Sequence, residues 1–168
     1  MMTIPYDVND NKVRESFLTD NLLQIIQEMD EHALPRWGSM NAQHMVEHLM
    51  WTFQCSTGKI ELPCHTPADL LERAKKFLYD DREMPHNFKN PLIGEIPIPY
   101  QFSCFSDAKA AIRTEIESFI DQYRSEPLAI HIHPIFGPLD GEQWQRAHFK
   151  HCYHHLLQFN LIGKPNSK

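Results

Sequence analysis

Trp144-Gln-Arg-Ala-His148-Phe-Lys-His151-Cys-Tyr-His154-His155-Leu-Leu-Gln158-Phe159 places four histidines within eight residues, with no proline or glycine among them. At about 100° per residue, a helix puts Trp144, His148, His151, His155 and Ile162 on one narrow stripe. Phe159 borders that stripe on one side and Gln158 on the other. Histidines and apolar residues therefore face the same way, toward a core. An imidazole buried there needs a partner for each ring nitrogen, because unpaired polar groups away from water are costly. A shared metal ion satisfies several at once.

A second histidine pair lies on another predicted helix, opened by Ser39 or Asn41 and reaching about Ser56, with Gly58 as its stop. Met45, Val46, Leu49, Met50 and Phe53 form its aliphatic face, and Gln43, Glu47 and Gln54 a narrow polar strip. His44, His48, Trp51 and Cys55 fill the remaining arc. So little polar surface predicts a central position among its neighbours.

The other elements follow from periodicity and punctuation. A first helix is predicted from about Asn11 to Glu31, capped by Asp10 or Asn9 and closed by Pro35-Arg-Trp37-Gly38. Thr66-Pro67-Ala68-Asp69 starts a short amphipathic helix reaching about Tyr79. Residues 80–105 are proline-rich and aperiodic, so residues 59–105 read as an insert of the kind that covers a site. Within it, Ile93 to Pro99 reads as extended backbone barred from a central strand. A third long helix runs from about Ser106 to Tyr123. Leu128 to Leu139 reads as a tight apolar connector, in which His131 and His133 are structural. Asp140, with Gln143 three residues on, opens the last helix in capping-box fashion. Gly163 and Pro165 end it, leaving residues 163–168 as a loose tail. The expectation is a single all-α domain over residues 1–168: four long helices, one short extra helix and a long proline-rich insert between the second and third long helices.

Composition narrows the function classes. The chain has 168 residues, 42% hydrophobic and 11% aromatic, with a formal charge of −6. No lysine or arginine block offers a footprint for nucleic acid or anionic membrane. No apolar run approaches the roughly 20 residues of a membrane span, and the first residues lack a signal-peptide pattern. Cytoplasmic residence is the resulting expectation. Cys55, Cys64, Cys104 and Cys152 form no C-x-x-C pair and read as buried thiols. The 11 histidines are the oddity, and six of them lie in the two segments described.

His151 and His155 are spaced i,i+4, one turn apart on the same side of a helix and close enough to grip one ion. His44 and His48 repeat the spacing. Neutral imidazole binds zinc, nickel, iron and copper, and catalytic zinc sites often use three protein ligands plus water. By helical angle His48 lies on the shoulder of the aliphatic face while His44 is nearly opposite, so His48 is preferred. His151 and His155 are the preferred pair on the last helix. His44 and His148 stay in reserve, and His154 falls outside. Trp37, Trp51 and Trp144 read as core aromatics, with Trp51 and Trp144 also candidates for a pocket wall. Gln158 is placed to orient a ligand, or else to pack and bond backbone.

Three sequence blocks carry a family resemblance. They are Trp37-Gly38-x-Met40-(x)4-Met45-x-x-His48-Leu49, His133-Pro134-x-Phe136-Gly137-x-Leu139, and His151-x-x-x-His155-x-x-Gln158. Together they resemble the DinB-like (DinB/YfiT) superfamily. The resemblance implies a four-helix bundle holding a divalent metal, nickel or zinc, between one histidine of the second helix and two of the fourth. That carries over to His48, His151 and His155. It also implies thiol-dependent S-transferases and metal hydrolases as company, with a small-molecule substrate, a low-molecular-weight thiol as co-substrate, and homodimers.

Three functional readings are open. The first is a metalloenzyme, an S-transferase or hydrolase, although no clear general base is visible: Glu47 points about 100° away from His48. The second is a non-catalytic metal-binding or interaction module, in which an ion ties two helices together. The third is a core whose histidines bind only protein groups.

Overall fold

The computed structural model describes residues 2–86 and 99–164. The expected extended backbone at 93–98 and the tail residues 165–168 lie outside the described residues. Asp10 caps the first helical run: its Oδ1 accepts from the backbone N–H of Lys12 at 2.8 Å and of Val13 at 3.2 Å. The run begins as the α-helix Asn11–Ser16, widens into π-helix at Phe17–Asn21 and continues as the α-helix Leu22–Glu28. It stops short of the expected Glu31 because Met29 turns to extended backbone (ψ 131°). Asn41 caps the second helix, Ala42–Ser56, by accepting from the His44 N–H at 3.0 Å.

The short helix is a mixed run in which 3-10 turns at Ala68–Leu70 and Lys76–Tyr79 flank the α-helix Leu71–Lys75. The third long helix spans Phe105–Ser125. The last, Gly141–Gln158, carries the expected capping box: Asp140 Oδ1 accepts from the Gln143 N–H at 2.9 Å, and Gln143 Oε1 accepts from the Asp140 N–H at 3.2 Å.

Two expectations are corrected. The segment from Leu128 to Leu139 is no simple connector but holds a hairpin, β2 (His131–His133) antiparallel to β3 (Gly137–Leu139), with His133 opposite Gly137. His133 makes the turn, since its Nδ1 accepts from the N–H groups of Ile135 at 3.0 Å and Phe136 at 3.3 Å. The last helix also ends earlier than Gly163. Asn160 takes φ +56°, and Ile162–Gly163 becomes β4, paired in parallel with β1 (Met2–Thr3). Ile162 therefore leaves the helical stripe, and Gly163 is not tail. Lys164 Nζ meets Glu83 Oε2 at 2.8 Å. The described residues are thus mostly helical with two small two-stranded sheets, rather than all-helical.

Ala42–Ser56 packs along Phe105–Ser125. Its Met45, Val46, Leu49, Met50 and Phe53 are buried, with Ile112, Ile116 and Phe119 from the third helix, Phe17, Leu18 and Leu22 from the first and Phe149, Tyr153 and Leu156 from the last. Each such side chain contributes roughly 1.5–3 kcal/mol on burial, large against the ~5–15 kcal/mol net stability of a domain. Cys55 and Cys152 join this core as free thiols; Cys64 is half-buried and Cys104 exposed. Among the described residues no helix is long and apolar enough to cross a membrane.

Three buried cations persist because their donors are matched, without which each would cost several kcal/mol. Arg14 and Arg146 both donate to the carbonyl of Val8, at 2.7 and 3.0 Å, pinning the N-terminal segment to the last helix. Lys150 donates to the carbonyls of Phe77 at 2.6 Å and Asp80 at 2.7 Å, where the short helical run ends. A tighter approach occurs at Gly141. A Cβ there would lie 2.3 Å from Tyr123 Cδ1, and the Tyr123 hydroxyl is tied to the Ser56 carbonyl at 3.0 Å. Gly141→Ala is expected to destabilise the protein by about 1–3 kcal/mol, the usual cost of overpacking. Urea unfolding measures this, and unchanged stability would show that the ring moves freely.

Candidate metal centre

The second and last helices cross so that three imidazoles meet edge-on. His151 Nε2 lies 2.9 Å from His48 Nε2 and 3.1 Å from His155 Nε2. One ligand atom from each of the three residues lies within 4.8 Å of the others, an arrangement that could hold a metal ion. The ring planes are steeply inclined, 89° between His48 and His151 and 70° between His151 and His155. The i,i+4 spacing brings His151 and His155 together on one helix, and the helix crossing supplies His48.

Three imidazole lone pairs cannot face one another at this distance without a proton or a cation between them. A tetrahedral ion with metal–nitrogen bonds of about 2.1 Å would separate its nitrogens by about 3.4 Å. The two closest spacings are therefore within a few tenths of an ångström of a zinc-type donor set. Burial holds His48 down to about 4, with a smaller push from nearby His154. His151 lies well below the ordinary histidine value because of burial first, then its histidine neighbours. His155 is lowered in the same way by burial and by His48. All three are neutral at pH 7, the form that ligates metals.

The reserve histidines lie elsewhere. His148 bonds Ser56 Oγ through Nε2 at 2.8 Å and stacks on Phe53 at 3.8 Å and 12°. Ser56 Oγ in turn donates to the Phe53 carbonyl at 2.8 Å. His44 lies against Tyr100, with ring centroids 4.4 Å apart, and its buried Nδ1 has no hydrogen-bond partner among the described residues. Trp144 is buried against His133 and His148, its indole N–H donating to the His131 carbonyl at 3.2 Å. It belongs with the hairpin, not with the three-histidine cluster. Trp51 is half-buried against the core. Gln158 is in contact with the cluster: its Oε1 lies 2.7 Å from His155 Nδ1, and its Nε2 donates to the Trp37 carbonyl at 2.7 Å.

Glu47, next to His48 in sequence, is engaged elsewhere. Its carboxylate accepts from the Gln101 N–H at 2.7 Å, the Phe102 N–H at 3.3 Å and Gln43 Nε2 at 2.8 Å. It fastens the segment just before the third long helix to the second helix. His86 stacks on Trp37 at 3.8 Å and 7°, and both rings lie beside His154. Sequence reading missed His86, since an aperiodic loop gives no direction to its side chains. It also missed Ser56, whose hydroxyl engages His148 across 92 residues.

Neither the curated proteins nor the solved structures yield a match to this chain. One family model does match, described as "Protein of unknown function (DUF1569)", over residues 15–161. That span contains both histidine-bearing helices, the hairpin and Gln158. The chain belongs to the DUF1569 family.

Proposed function

We propose that this is a DinB-like four-helix-bundle metalloprotein in a single domain, with His48, His151 and His155 holding one zinc or nickel ion. The observation that carries this reading is the convergence of three neutral Nε2 atoms from two helices. The positions of His44 and His148 support a set of three protein ligands rather than four or five. Three ligands plus a free position is the pattern of catalytic zinc sites, whereas closed four-ligand sites are structural. This favours an enzyme over the alternative, a non-catalytic metal-binding or interaction module.

A divalent ion held there would lower the pKa of a thiol or water in the free position. Of the two chemistries, thiol transfer is better supported than hydrolysis. Hydrolysis calls for a general base, and Glu47, the nearest carboxylate in sequence, is spent on Gln101, Phe102 and Gln43. A low-molecular-weight thiol would need no base from the protein once its proton is lost to solvent. It would attack an electrophilic small molecule, forming a C–S bond as the leaving group departs with its electron pair. The protein would work as a homodimer in the cytoplasm, with neither nucleic acid nor membrane as partner.

The test begins with elemental analysis of protein purified without an affinity tag, where one zinc or nickel per chain is expected. The loaded protein is then assayed with a panel of cellular thiols and a chromogenic electrophile. Stoichiometric metal with no metal-dependent rate would leave the non-catalytic module. Absence of stoichiometric metal, with melting indifferent to chelator, would sink the metal reading altogether.

A further inference from the structure

We infer that the Trp37–Gly38 turn fixes the tautomer of His155, acting through Gln158, so that the Nε2 lone pair faces the cluster before any ion arrives. A chain of hydrogen bonds with only one consistent polarity requires this. The Trp37 carbonyl can only accept, so the group facing it at 2.7 Å is the Gln158 amide nitrogen. The amide oxygen therefore faces His155 Nδ1 at 2.7 Å, and being an acceptor it requires a proton on Nδ1. A neutral imidazole with its proton on Nδ1 has a bare Nε2, and that is the nitrogen 3.1 Å from His151 Nε2.

Gln158 cannot flip its amide, because oxygen would then face the Trp37 carbonyl oxygen and that bond would be lost. Nor can it drift. Its backbone carbonyl accepts from the Arg36 N–H at 2.7 Å, and it is buried at 5% exposure. Gly38 is what permits this fit. It sits at φ +82°, and a Cβ there would lie 2.8 Å from Gln158 Nε2. Any side chain at position 38 would both strain the turn and push the amide out of place.

Gln158, Trp37 and Gly38 are thus positioning residues: they act through His155 and not on a reactant. Their purpose rests on the proposed metal centre, yet the tautomer itself is observable without any ion.

Long-range 1H–15N spectra of the metal-free protein at pH 8 report which ring nitrogen of each histidine carries the proton. In the wild type, His155 is expected as the Nδ1–H form. Gln158→Leu removes the acceptor and should shift His155 toward the Nε2–H form. Gln158→Glu loses the bond to the Trp37 carbonyl but keeps an acceptor facing Nδ1, and should retain Nδ1–H at some cost in stability. Zinc affinity, measured by chelator competition, should fall about 10–100-fold in Gln158→Leu, the usual cost of losing a ligand's hydrogen-bond partner. Gln158→Glu should bind closer to wild type. Gly38→Ala should move both readouts in the direction of Gln158→Leu. Because it also strains the backbone, the two Gln158 variants carry the decision.

A wild-type His155 protonated on Nε2, or a Gln158→Leu protein with an unchanged His155 tautomer, overturns the inference. A wild type that shows the expected tautomer but binds no zinc would remove the metal reading and leave the positioning relay standing.

Discussion

His151→Ala should abolish stoichiometric zinc or nickel binding while the protein stays folded. His151 is the middle member of the cluster, its Nε2 within 3.1 Å of both partners. Without it, His48 and His155 would remain as a two-ligand site split between separate helices. Losing the central donor should cost at least about 100-fold in affinity, more than the loss of an outer hydrogen-bond partner. His148→Ala is the matching control. It should keep metal affinity, because His148 bonds Ser56 and stacks on Phe53 away from the cluster. It should nevertheless destabilise the fold by about 2–5 kcal/mol, as large-to-small core changes do. Chelator competition and urea unfolding of both variants measure the contrast. Unchanged metal affinity in His151→Ala would remove that histidine from the site.

Metal-free protein should lose stability steeply as pH falls below about 6.5. His148 is buried and His133 half-buried, both outside the three-histidine cluster and both in neutral form. Burial holds His133 down to about 3 and His148 well below its ordinary 6.5, with His133 adding to the effect. The unfolded chain takes up a proton on each near pH 6.5, while the folded chain does not. Their contribution is therefore fully present above that value and is lost as pH falls toward the folded-state values. The proton His133 takes up on unfolding gives a slope of roughly 1.4 kcal/mol per pH unit between about pH 6 and 4, and His148 acts in the same direction. Over that range His133 alone removes roughly 2–3 kcal/mol, a substantial share of the ~5–15 kcal/mol of an ordinary domain. Urea unfolding at a series of pH values checks the slope, and stability that stays flat from pH 7 to 5 would contradict neutral burial of these rings.

What the sequence makes legible is mostly local. Asp140 and Gln143 announce their helix start because a capping box closes within one turn, and Asn41 caps its helix for the same reason. His48, His151 and His155 emerge from angle and spacing, and the structure brings those three together. Angle cannot say where His148 goes, since that depends on Ser56 and Phe53 on another helix. The hairpin at 131–139 leaves little signal because its strands are three residues each, and a histidine ring nitrogen supports its turn. The pairing of Ile162 with Met2 has no local signal at all, since a strand's partner across most of the chain leaves no periodicity.

The contact between His48 and His151 spans 103 residues, and that between Gln158 and Trp37 spans 121. Closing a loop of about 100 residues costs roughly 4 kcal/mol of chain entropy beyond a constant. Contacts of such long range meet this entropy cost before they stabilise anything, which slows folding. An ion that met the chain before these contacts formed would find only pairs on single helices, His44–His48 and His151–His155, and not the three-histidine set. Unlike the metal of a zinc finger, which organises an otherwise unfolded chain, the proposed ion would enter a site that only the folded chain completes. Metal loading in a growing cell would then be governed by the exchange of ions with the finished protein.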